Sequence, residues 1–114
     1  MIRLRNDEKI IKAFEVKKST HGSGVFYITS FGVYFESQKH GMVIEADFEL
    51  LRSYNAIKKD IFQIVWNAQN NERFRYEIKV DSADEVMTSY KDANKEYSES
   101  ATEIQALKSK HGYL

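Results

Sequence analysis

Apolar and polar residues alternate most regularly between Arg73 and Val80. Phe74, Tyr76, Ile78 and Val80 share one parity, and Arg73, Arg75, Glu77 and Lys79 share the other. A period of two over this run predicts a strand with one face in a core and one in water. Six shorter runs precede it. Ile10 to Val16 places Ile10, Phe14 and Val16 on one face, with Lys12 interrupting. Val25 to Ser30 is almost wholly apolar or β-branched, and Val33 to Ser37 sets Val33 and Phe35 against Tyr34 and Glu36. Met42 to Asp47 follows, and then Leu50 to Ile57 and Ile61 to Asn67 flank Lys58-Lys59-Asp60. Seven strands at spacings of roughly 8–12 residues suit an antiparallel sandwich or barrel. Gly22, Gly24, Gly32 and Gly41 punctuate these runs and predict turns, because glycine reaches positive φ without steric cost.

The period changes at Asp81. Ser82-Ala83-Asp84-Glu85 has the form of a capping box, a hydroxyl followed three residues later by a carboxylate. Asp81, Asp84 and Glu85 also suit the positive end of a helix dipole. Val86, Tyr90, Ala93 and Tyr97 then recur at helical spacing, and no breaker intervenes before Gly112. The pattern predicts one helix over about residues 82–110. Ala83, Tyr90, Tyr97 and Ile104 are spaced by seven, as are Val86, Ala93, Ser100 and Leu107. A helix of this length runs to about 42 Å. A folded chain of this size is only roughly 34 Å across, so the second half of the helix is expected to project. Its apolar residues there, Ala101, Ile104 and Leu107, together with Tyr97, make candidate contacts with a partner or with a second copy.

Composition narrows the choice of function. The 114 residues are 42% hydrophobic and 13% aromatic, enough for a core, and they read as a single domain over residues 1–114. Seventeen basic residues balance seventeen acidic ones. A chain without a basic excess is not built to neutralise nucleic-acid phosphates. Cysteine is absent, which removes thiol chemistry and disulfides and suits a cytoplasmic protein. No stretch reads as a membrane span or a secretory signal.

Catalytic patterns are missing. There is no HExxH, no Gly-x-Ser-x-Gly elbow and no phosphate-cradling glycine loop. His21, His40 and His111 are scattered; His21 and His40 could share a metal only weakly without a carboxylate beside them. The expected protein is therefore not an enzyme and needs no metal or cofactor. Tyr27, Tyr34, Tyr54, Tyr76 and Trp66 could form a recognition face, but strand aromatics more often fill cores and cross-strand pairs. Trp66 follows Phe62 and Ile64 in alternation, consistent with burial.

Gly24-Val25-Phe26-Tyr27-Ile28-Thr29-Ser30-Phe31-Gly32-Val33-Tyr34-Phe35 resembles the GRAM branch of the pleckstrin-homology (PH) superfamily, close to its prokaryotic PH-like members. The order of seven strands and a C-terminal helix is similar to that of the same superfamily. The resemblance covers about residues 10–94, and the basic residue that GRAM domains carry in the tight turn is replaced here by Gly32. It implies a PH-like split barrel of two near-orthogonal antiparallel sheets capped by one helix, with Val86, Tyr90 and Ala93 buried beneath the cap. Such folds host many functions. Two readings follow. The first is an interaction module that binds a protein partner or forms a homodimer. The second is an anionic-lipid or phosphate-headgroup binder in peripheral contact with a membrane. In it, Lys17, Lys18, His21, Lys39, His40 and Arg73 would converge at one end of the barrel, although the second strand lacks the basic residues of lipid-binding relatives.

Overall fold

The computed structural model describes residues 2–67 and 72–110, with helix side chains through Glu99. The strands are β1 (Ile10–Val16), β2 (Lys18–Ser19), β3 (Gly24–Thr29), β4 (Gly32–Ser37), β5 (Gly41–Asp47), β6 (Leu51–Lys58), β7 (Ile61–Asn67) and β8 (Arg73–Lys79). A 3-10 turn at Phe48–Leu50 separates β5 from β6, and one helix, α1 (Ala83–Lys110), follows β8.

The strands form two four-stranded antiparallel sheets, ordered β1-β3-β4-β5 and β2-β8-β7-β6. The first run of the sequence serves both. β1 pairs with β3, the chain bends at Lys17, and β2 pairs with β8. The Lys17 N–H donates to the Lys79 carbonyl at 2.8 Å, so the backbone is hydrogen-bonded through the bend. A strand that changes sheets in this way joins their edges without a loop.

Cross-strand rows build the core. Phe14, Phe26, Phe35 and Ile44 stand in register across the first sheet. In the second, Phe62 opposes Ile78 and Ile64 opposes Tyr76. Phe26, Phe35, Ile44, Phe62, Ile64 and Ile78 are completely buried, and the Phe26 and Phe62 rings meet between the sheets at 6.1 Å. Burying such a side chain contributes about 1.5–3 kcal/mol. β1 fills less of the core than its sequence predicts: Val16 is buried and Phe14 half-buried, whereas Ile10 is 43% exposed. A register shift between Ile10 and Lys12 breaks the alternation there.

The helix begins as its capping box predicts, with the Glu85 N–H donating to Ser82 Oγ at 3.3 Å. Ala83, Val86, Tyr90 and Ala93 are buried against both sheets. Tyr90 meets Phe48 edge-on at 5.5 Å and lies 4.1 Å from the Tyr54 ring. Two turns further, Tyr97 packs on Phe48, and its hydroxyl donates to Glu49 Oε1 at 2.7 Å. That bond, with burial, pushes the Tyr97 phenol up to about 12. Molecular extents of 50 × 26 × 25 Å fit a helix that outruns its sheets. The side chains of Ala101, Ile104 and Leu107 lie outside the described residues.

The glycines divide by role. Gly22 and Gly41 adopt φ of +85° and +71° in turns, as expected. Gly24 and Gly32 do not: they open β3 and β4, where a Cβ would strike the Glu36 and Ala46 carbonyl oxygens. Close approach of neighbouring strands, not turn geometry, requires glycine at these two positions.

Residues 5–9 strap the outer face of the first sheet. Glu8 is 6% exposed and accepts hydrogen bonds from the Arg5 N–H (2.9 Å), Thr29 Oγ1 (2.6 Å) and the Tyr34 hydroxyl (2.8 Å). Burial alone would raise its pKa, but these bonds outweigh it and hold the carboxyl below its ordinary range. Burial and the same contact push the Tyr34 phenol up to about 12. Arg5 clamps Asp47 with two bonds of 2.8 and 3.1 Å and lies over the Phe31 ring.

Candidate binding cleft

The inner face of the second sheet is covered unevenly. Phe62–Ile78, Ile64–Tyr76 and Trp66–Phe74 are successive cross-strand pairs on that face. The first pair is fully buried, and in the second Ile64 is fully buried and Tyr76 8% exposed. In the third pair Trp66 is half-buried and Phe74 40% exposed. The strict alternation of Arg73–Val80 predicts burial for Phe74, and the structure corrects this. The side chain faces the core side of its sheet at a place the first sheet does not reach. Trp66 and Phe74 instead stack on each other, ring centroids 5.5 Å apart.

These two rings line a cleft of about 560 Å³. Met42, Val43 and Glu45 contribute to it from β5, Arg75 and Tyr76 from β8, and His21 and His40 from turns. β5 ends its sheet, so its outer edge has no strand partner among the described residues. It is also bulged: Phe35 opposes Ile44 and Glu36 opposes Met42, leaving Val43 as the extra residue. Such a bulge re-aims side chains at a sheet edge. β2 spans only two residues, so β8 has a neighbour on that side only at Ile78 and Lys79. A mostly apolar hollow with a few polar groups, between free strand edges, has the make-up of a ligand site.

His21 is held by Tyr76. The Tyr76 hydroxyl lies 2.6 Å from His21 Nδ1, 3.1 Å from the His21 N–H and 3.1 Å from Ser19 Oγ. Ser19 Oγ spends its own hydrogen on the Gly22 carbonyl at 2.7 Å. The Tyr76 hydroxyl thus has two acceptors for its one proton, Ser19 Oγ and His21 Nδ1, and whichever of the two it serves, the ring is anchored through Nδ1. Nε2 of His21 has no hydrogen-bond partner among the described residues. The His40 ring meets that of His21 edge-on at 5.4 Å. Arg75 and Glu45 form no ion pair among the described residues.

The six candidate headgroup residues are distributed as follows. His21 and His40 share the cleft. Lys39 adjoins His40 in the β4–β5 turn, where Ser37 Oγ accepts from both backbone N–H groups at 3.2 Å. Arg73 opens β8 opposite Asn67. Lys17 pairs with Asp81 at 2.5 Å, which raises its pKa. Lys18 lines a separate hollow with Ser19, Thr20, Glu77 and Lys79. No group of three or more potential metal ligands occurs among the described residues, so the histidine pair stands without a third donor there. Of the proposed helix contacts, Tyr97 is engaged within the chain by Phe48 and Glu49.

The sequence pattern marks both histidines and expects Tyr76 in the core, where it lies, but it also expects Trp66 buried, and Trp66 is only half-buried. The pattern gives Met42, Val43, Glu45 and Arg75 no role. One signal was available: Trp66 and Phe74 are the outermost apolar inner-face residues on strands joined by the polar stretch 67–72. Compared with known protein families and with curated proteins, the chain finds no match. Among the described residues, no helix is long and apolar enough to cross a membrane.

Proposed function

We propose that the chain is a non-enzymatic PH/GRAM-like interaction module that grips a short segment of a protein partner at this cleft. The observation that carries this reading is the Trp66–Phe74 pair, two core-facing rings left partly uncovered beside the edge of β5, which has no strand partner among the described residues. An extended segment laid along β5 would supply main-chain hydrogen bonds. One of its apolar side chains would cover the rings, as in other cases of strand addition. Support for the PH-like split barrel comes from the strand order, the single helix across the core and the GRAM-like text of Gly24–Phe35.

Selection of random peptides on the wild-type protein, with counter-selection on Phe74→Ser, tests the proposal. The expected result is a set of extended sequences with a shared apolar anchor. Their binding weakens at least tenfold in Phe74→Ser while the circular-dichroism spectrum is unchanged. Peptides indifferent to both Phe74→Ser and Trp66→Ala would place recognition elsewhere. Sedimentation of the pure protein with and without anionic vesicles checks the rival outcomes. A stable homodimer without peptide would favour self-association, and co-sedimentation with vesicles would favour the headgroup reading.

A further inference from the structure

We infer that the segment accepted by this cleft carries a carboxylate beside its apolar anchor, and that proton uptake by His21 and His40 strengthens its capture. This rests on the peptide-binding reading above and specifies its chemistry.

The titratable or charged residues along the cleft are His21, His40, Glu45, Arg75 and Tyr76. Arg75 alternates to the face of β8 opposite Phe74 and Tyr76, and Glu45 stands opposite the outward-facing Tyr34, so the two histidines decide the charge beside the Trp66 and Phe74 rings. Tyr76 engages His21 through Nδ1, and neither His21 Nε2 nor the His40 ring has a hydrogen-bond partner among the described residues. When protonated, His21 offers an N–H donor at Nε2 and a positive charge while Nδ1–H stays on Tyr76. Two imidazolium rings with centroids 5.4 Å apart repel each other, and an anion between or beside them relieves that repulsion. Trp66, Phe74, Met42 and Val43 provide the apolar contact for the neighbouring side chain. Histidine changes charge between about pH 5 and 8, so the preference for an acidic segment is expected to appear across that interval.

The protein contains a single tryptophan, and it forms part of the cleft. Trp66 fluorescence therefore reports occupancy directly. Three end-blocked tetrapeptides serve as probes: Val-Phe-Glu-Val, Val-Phe-Gln-Val and Val-Phe-Lys-Val, each titrated into the full chain at pH 5.5 and pH 8. The glutamate peptide should bind about tenfold more tightly at the lower pH, the glutamine peptide about equally at both, and the lysine peptide most weakly. In the double variant His40→Gln, His21→Gln the pH dependence of the glutamate peptide should disappear. His40→Gln alone, at a surface turn that leaves the Tyr76 network intact, should remove part of it.

Equal binding of the glutamate and glutamine peptides would overturn the inference and leave the peptide-binding reading standing. A pH dependence that persists in the double variant would also overturn it. Failure of all three probes, together with failure of peptide selection, would remove both. Binding of phosphatidylserine vesicles with the same histidine dependence would replace the peptide by a membrane surface.

Discussion

The two ends of β8 carry the same alternating pattern and meet different fates. Ile78 stands beside Phe62 on the inner face of the second sheet and is completely buried; Phe74, four residues earlier on the same face, is 40% exposed. The difference does not come from the residues, since phenylalanine is at least as apolar as isoleucine. It comes from what lies opposite. At Ile78 the second sheet is tied to the first through the bend at Lys17 and covered by its inner face. At Phe74 it borders the open cleft beside β5. Alternation says which side of a strand is apolar; it does not say how far the covering layer extends. A core-facing residue left uncovered is therefore informative, because large exposed apolar patches cost solubility unless something binds them.

Substitutions along this face measure the contrast. The largest effect is expected at the covered end. Phe62→Ala should cost about 3–5 kcal/mol, because a fully buried aromatic leaves a cavity that its neighbours cannot close. Urea unfolding would check it, and a loss below about 1 kcal/mol would mean that the covered end is no better packed than the open one. Between the two ends, Tyr76→Phe keeps the ring and removes the hydroxyl shared by Ser19 and His21. It should cost about 1–3 kcal/mol. It should also alter the His21 side-chain resonances, and unchanged resonances would contradict the anchoring of the ring through Nδ1.

The outer face of the first sheet sharpens the comparison from another side, since there a polar strap serves as the cover. Glu8→Gln should cost about 1–3 kcal/mol near neutral pH, because Thr29 and Tyr34 lose a charged acceptor. The folded-state pKa of Glu8 lies below its ordinary value of 4.5. Its stabilising contribution is thus complete above that value and fades as pH falls through the lower folded value. Wild type should lose stability over that acid interval, and Glu8→Gln should lose less. Parallel stability curves for the two proteins below pH 5 would refute this assignment.

The smallest effect on folding is expected at the open end. Phe74→Ser should change stability by about 1 kcal/mol or less, since the ring already meets water. A loss comparable to that of Phe62→Ala would show that Phe74 is a core residue and that the cleft is closed in solution.

Local order along the chain was legible because it depends on near neighbours. The alternation at 73–80, the apolar runs at 25–30, 33–37 and 61–67, and the Ser82–Glu85 capping box predicted β3, β4, β7, β8 and α1 to within a residue or two. Burial of Val86, Tyr90 and Ala93 followed from helical spacing. Other features were settled only when distant segments met. The first strand is shared between sheets because Lys17 reaches Lys79. Gly24 and Gly32 are required by neighbouring backbone, which no local pattern shows. Glu8 is buried only because Thr29 and Tyr34, both distant in sequence, close over it. His21 and His40 meet because two turns far apart in sequence flank one end of β5, and Trp66 and Phe74 stay open because that edge ends where it does. Periodicity encodes which face of an element is apolar, whereas coverage depends on where other elements stop, and only the tertiary structure decides that.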